Sequence, residues 1–117
     1  MRTPREHKLL SEIRTCADKI IRKTAGKTLA DYKADEDLRL AVERLFTILG
    51  EAAMRLERSE PQLALQIPNL RGPIAFRNFL IHVYDSIEDE KVWEIITSDL
   101  LLLRSDVTRL IEGQPSA

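Results

Sequence analysis

The sequence predicts an all-α fold, a small antiparallel bundle of four main helices. Three observations predict it. Apolar residues recur at spacings of three and four along most of the chain. No stretch alternates apolar and polar residues between turn formers, as a half-buried strand would. The 117 residues include only 4 Gly and 5 Pro, too few for a loop-rich or disordered chain. That length predicts a single domain, residues 1–117, with fraying expected at about 1–4 and 113–117.

The first helix is expected over residues 4–25. Leu9, Ile13, Cys16 and Ile20 fall on one stripe, and Gly26 is placed to stop it. Residues 27–34 are short and mixed and read as a loop with room for a turn of helix. The second helix starts at Asp35 or Asp37 as cap. Leu38, Val42, Leu45, Leu49, Ala52 and Leu56 form its stripe, and Ser59, Glu60 and Pro61 end it. Gly50 interrupts it at a cost of about 1 kcal/mol relative to Ala, which predicts a close helix contact there. Pro61, Pro68 and Pro73 mark a connector expected to pack Leu63, Leu65 and Ile67. The third helix is expected over residues 73–86, with Pro73 in its first turn. The fourth begins near residues 86–89, where acidic side chains favour a helix N-terminus. Val92, Ile96, Leu100, Leu103, Val107 and Leu110 form its stripe, and Gly113 closes it.

Composition narrows the function classes. Cys16 is the single cysteine, which excludes an intrachain disulfide and a multi-cysteine zinc site and suits a small apolar core filler. The longest purely apolar run, Leu100 to Leu103, is far too short to cross a bilayer. The N-terminal residues lead into no apolar signal segment, so a cytoplasmic protein is expected. The formal net charge of −1 hides an asymmetry: residues 1–33 carry +5 and residues 34–117 carry −6. The basic segment either meets phosphates or is a solvated face. No glycine-rich phosphate loop is present, and a set of His82, Asp85 and Glu51 has poor spacing for a metal.

The third helix carries the chemistry. With Phe76 at zero and about 100° per residue, Phe76, Leu80, Val83 and Ile87 face the bundle. Asn78, His82 and Asp85 line the opposite side, while Arg77 and Tyr84 share a flank. His82 therefore lies off the core face. Ile81 sits among these polar groups at about 140° from the core stripe, and a second copy of the same face is its simplest cover. Arg77 offers a planar, permanently charged fork for phosphate oxygens. His82 titrates near neutrality and suits proton transfer. Asn78 can donate to an oxygen or orient His82.

Arg77-Asn78-x-x-x-His82-x-Tyr84 resembles the signature of HEPN-domain ribonucleases, and more closely of HepT-like toxins. Ala41-Val42-Glu43-Arg44 and Gly50-Glu51-Ala52 on the second helix, Ile67-Pro68 before the motif and Val92-Trp93-Glu94-Ile95-Ile96 after it are similar too. The resemblance covers about residues 9–111. It implies a HEPN-like bundle and a metal-independent endoribonuclease that needs no cofactor. It further implies a homodimer with the site at its interface, with Arg77 and His82 catalytic and Asn78 supporting. The implied partner is an MNT-type nucleotidyltransferase antitoxin that attaches AMP to Tyr84. The alternative is a non-catalytic helical subunit that binds nucleotide or RNA beside such a nucleotidyltransferase.

Overall fold

The computed structural model of the chain describes residues 2–82 and 88–113, with the side chain of His82 left outside that description. The helices are α1 (Pro4–Thr24), α2 (Leu29–Ala34), α3 (Glu36–Ser59), α4 (Pro61–Ala64), α5 (Arg71–His82), α6 (Asp89–Glu94) and α7 (Leu100–Ile111), with a π turn at Ile95–Asp99 joining the last two. Among the described residues there is no strand. The fold is all-α, as the apolar spacing requires.

Local chemistry sets most of the boundaries. Thr3 and Glu6 form a reciprocal capping box at the start of α1. Gly26 lies just past its end at φ +74°, a left-handed conformation that costs glycine little. Asp35, rather than Asp37, caps α3 by accepting from the Leu38 N–H at 3.0 Å. Gly113, at φ +70°, follows α7 in the same way. The expected third-helix end at Ser86 and fourth-helix start before Glu88 fall outside the described residues.

Three expectations are corrected. Residues 29–34 are helical: Thr28 and Asp31 build a second capping box, and α2 buries Tyr32 completely. Tyr32 packs against Trp93 of α6 with ring centroids 5.5 Å apart and the planes tilted by 40°, and Lys33 pairs with Glu90, so this short helix is held by tertiary contact. Leu65 is 78% exposed, whereas Leu63, Ile67 and Leu70 anchor the connector. The reason is the α4 turn, which points Leu63 inward and Leu65 away. The fourth helix is not regular. Leu100 N–H donates to the Ile95 carbonyl across five residues, which inserts one extra residue. In an unbroken α-helix the steps from Val92 to Ile96 to Leu100 would drift by about 80° around the axis. The insertion takes up that drift, and all three side chains are buried. Thr97 and Ser98 hydroxyls donate to the carbonyls of Trp93 and Glu94 at this turn.

The helices α1 and α3 form the centre, with α7 against α1 and α5 against α3. Leu9, Ile13, Cys16 and Ile20 are buried as expected. The buried surface of α3 is wider than its predicted stripe. Phe46, Gly50 and Ala53 are also buried while Leu45 is only half-buried, because α3 is covered by α1 on one side and α5 on the other. Phe46 meets Phe76 of α5 edge-on at 5.0 Å. Glu57 pairs with Arg71 at 2.7 Å near the start of α5, while Phe46 meets Phe76 further along, so α3 and α5 run antiparallel.

Candidate active site at the crossing of α3 and α5

The site is built on the closest approach of two helices. A Cβ on Gly50 would lie 2.2 Å from Arg77 Cβ and 2.9 Å from the Pro73 carbonyl oxygen. Only a residue without a side chain lets α5 come this close to α3. The close contact expected at Gly50 is thus present, and the residue that occupies the vacated space is Arg77.

The guanidinium of Arg77 is held from two sides. Asn78 Oδ1 accepts from Nη1 at 3.1 Å. Glu51, the neighbour of Gly50 on α3, brings Oε1 to 3.7 Å from Nη2, an ion pair without a formed hydrogen bond. The Arg77 side chain is only 20% exposed, and its Nε is buried with no hydrogen-bond partner among the described residues. The Nε–Nη edge of an arginine is a two-pronged donor suited to phosphate oxygens. A buried donor left unpaired costs about 1–3 kcal/mol, and among the described residues Arg77 Nε finds no acceptor.

Sequence-predicted residues are placed as follows. Arg77 and Asn78 are together, with Asn78 exposed and accepting from Arg77; an acceptor role toward Arg77 was not among the two roles expected for it. His82 is the last residue of α5, five residues or about 1.4 turns beyond Arg77 on the same helix. Tyr84 and Asp85 lie outside the described residues, as do Val83 and Ile87 of the expected core stripe. Ile81 is half-buried within its own chain, so the exposed large apolar side chain of α5 is Phe79, at 36%. Phe79 lines a groove with Ala75 and Ile95, between α5 and the π turn. Glu51 enters the sequence reading as a poor metal ligand and within the Gly50-Glu51-Ala52 segment of the resemblance; no local pattern singles it out as the partner of Arg77. Among the described residues no group of three or more His, Cys, Asp and Glu is gathered.

An all-α bundle in which an outer helix carries an arginine pinned against a central one defines a class of fold, and the comparisons say which family has it. The model of the family "Ribonuclease HepT-like" matches residues 13–110, and the chain belongs to that family. A protein of Caldanaerobacter subterraneus subsp. tengcongensis assigned as an RNase is 26% identical over 114 residues, covering 97% of this chain and 99% of that one. A protein of Thermococcus cleftensis assigned as a ribonuclease HepT is 27% identical over 107 residues, covering 91% and 96%. No solved structure matches the chain. Among the described residues no helix is long and apolar enough to cross a membrane.

Proposed function

We propose that this chain is a single-domain, cytoplasmic ribonuclease toxin that cleaves RNA without a metal ion and acts as a homodimer. Its neutralising partner is an MNT-type nucleotidyltransferase that attaches AMP to Tyr84. The observation that carries this reading is the Arg77 guanidinium. It is pinned at a glycine-enabled helix crossing, has an Nε with no partner among the described residues, and shares α5 with His82.

In this mechanism Arg77 binds the phosphate oxygens of the scissile linkage and offsets the charge that builds there. A histidine base removes the proton of the ribose 2′-hydroxyl, and the freed oxygen attacks phosphorus. The bond to the 5′-oxygen breaks, and that oxygen takes a proton from a histidine acid. The products are a 2′,3′-cyclic phosphate and a 5′-hydroxyl. Each general acid or base step contributes about two to four powers of ten. The motif supplies one histidine per chain, and a two-fold dimer supplies two. His7 is exposed near the start of α1 and does not belong to this set. AMP on Tyr84 would place a phosphate near Arg77 and repel incoming RNA.

The test compares purified wild type with Arg77→Ala and His82→Ala on labelled RNA, with and without EDTA, after co-expression with the neighbouring nucleotidyltransferase or alone. Wild type alone should cut in EDTA and leave cyclic phosphate ends, and both variants should be inactive yet folded. Co-expressed protein should gain whole AMP masses that Tyr84→Phe lacks. RNA binding without any cleavage would favour the non-catalytic subunit instead.

A further inference from the structure

We propose that Glu51 is a positioning residue for Arg77, and that its carboxylate both orients the guanidinium and competes with the RNA phosphate for it. This rests on the proposal that Arg77 binds the scissile phosphate. Three observations point to Glu51. It directly follows Gly50, whose missing side chain brings Arg77 against α3. Its Oε1 stands 3.7 Å from Arg77 Nη2, within ion-pair range but beyond a formed hydrogen bond. Arg77 Nε is buried and has no partner among the described residues, so within that part of the structure Glu51 and Asn78 are the groups that hold the guanidinium.

The two neighbours of the guanidinium have different roles. Asn78 is on the same helix and moves with Arg77, so its contact at Nη1 cannot fix the side chain relative to the rest of the bundle. Glu51 is on α3 and can. Its side chain is 40% exposed against 20% for Arg77, so the pair opens toward solvent from the carboxylate side. A phosphate approaching Arg77 from solvent would meet the field of Glu51. The loose 3.7 Å contact suits a group that yields an edge of the guanidinium to a second anion without releasing the side chain. Removing the carboxylate should have two opposite consequences. Like-charge repulsion of the phosphate disappears, so RNA binds more tightly. The guanidinium loses its anchor to α3, and misplacement by about 1 Å can cost a hundredfold in rate.

The experiment measures cleavage of a fluorescein-labelled single-stranded RNA and binding of its 2′-O-methyl counterpart, which has no attacking hydroxyl. The proteins are wild type, Glu51→Ala, Glu51→Gln and Arg77→Ala. Glu51→Ala should lower kcat about tenfold or more while binding the uncleavable RNA about threefold or more tighter, and the binding gain should shrink as salt is raised. Glu51→Gln keeps the length and an acceptor oxygen but not the charge. It should share the tighter binding and recover much of kcat. A purely structural role predicts no tighter binding and a lowered melting temperature, and that outcome overturns the proposal. So does a Glu51→Ala protein with unchanged kcat and affinity while Arg77→Ala is inactive. An Arg77→Ala protein that cuts at the wild-type rate removes the underlying reading of Arg77 instead, and the two failures are thereby told apart.

Discussion

Glu43 of α3 sits where its charge is opposed. Burial raises its carboxyl above the usual range, Asp89 at the start of α6 raises it further, and Arg39 acts in the opposite sense. The fully buried Tyr32 hydroxyl has no hydrogen-bond partner among the described residues. Burial first, then Glu43 and Asp89, push its ionisation well above the normal tyrosine range, so it stays neutral. The folded protein thus holds the Glu43 proton more tightly than the unfolded chain does. Its contribution to stability is fully present below the unfolded carboxyl value and is lost as pH rises through the raised folded value. Glu43→Gln, neutral throughout, should therefore melt above wild type at about pH 7, with the difference closing toward about pH 4. Thermal unfolding of both proteins across that range checks it; a constant difference would mean that charge on Glu43 is not the cause. Arg77, Asn78 and His82 could be singled out in the chain because their spacing is a local pattern. The strain at Glu43 could not, because Asp89 reaches it only through the folding of α6 onto α2, which itself packs on α3.

At the scale of elements, the long helices were legible and the short ones were not. Six residues are too few to display a helical period, so α2 read as a loop. Its one local signal was the pair Thr28 and Asp31, whose spacing makes a capping box. The π turn was hidden for another reason: Val92, Ile96 and Leu100 fit an approximate stripe in either geometry, and only packing chooses the wider turn. The crossing of α3 and α5 gives the clearest test. Gly50→Ala would drive a methyl group into Arg77 Cβ and the Pro73 carbonyl, and backbone cannot step aside as a flexible side-chain tip can. The expected cost is about 1–3 kcal/mol of stability, with α5 displaced and RNA cleavage reduced beyond what the folded fraction explains. Gly72→Ala is the control. Nothing lies within 4 Å of its would-be Cβ, so stability should hold or rise. Equal effects at the two glycines, read by calorimetry and cleavage, would show that the close approach is unimportant.

For the whole molecule, the separation of charge matters more than the net value. Lys19, Arg22, Lys23 and Lys27 are all exposed near the C-terminal end of α1. Their combined replacement by Gln should flatten the dependence of log K for RNA on log salt, by up to about 0.7 for each phosphate that is no longer neutralised. An unchanged slope would leave this surface as a solvated face. Assembly is the second whole-molecule property. Ile81 is already half-covered by its own chain, which moves the probe of the proposed dimer to Phe79, exposed beside Ala75 and Ile95. Phe79→Glu should give a folded monomer with little RNA cleavage, measured by light scattering and activity together. A wild-type chain that is monomeric at high concentration would remove the dimer from the proposal.

By itself the sequence determined the helical class, the core stripes of α1 and α7, the stops at Gly26 and Gly113, and the motif on α5, and it narrowed the α3 cap to Asp35 or Asp37. These depend on the period of the helix and on sterics and hydrogen bonds within a few residues, which order along the chain already specifies. Tertiary structure alone decided that Gly50 vacates the space Arg77 occupies and that Glu51 meets its guanidinium. It likewise decided that Tyr32 is buried on Trp93 and that Leu65 is left in water. Those depend on how closely and at what angle helices distant in sequence cross, and that is set by the summed packing of the core rather than by any neighbouring residue.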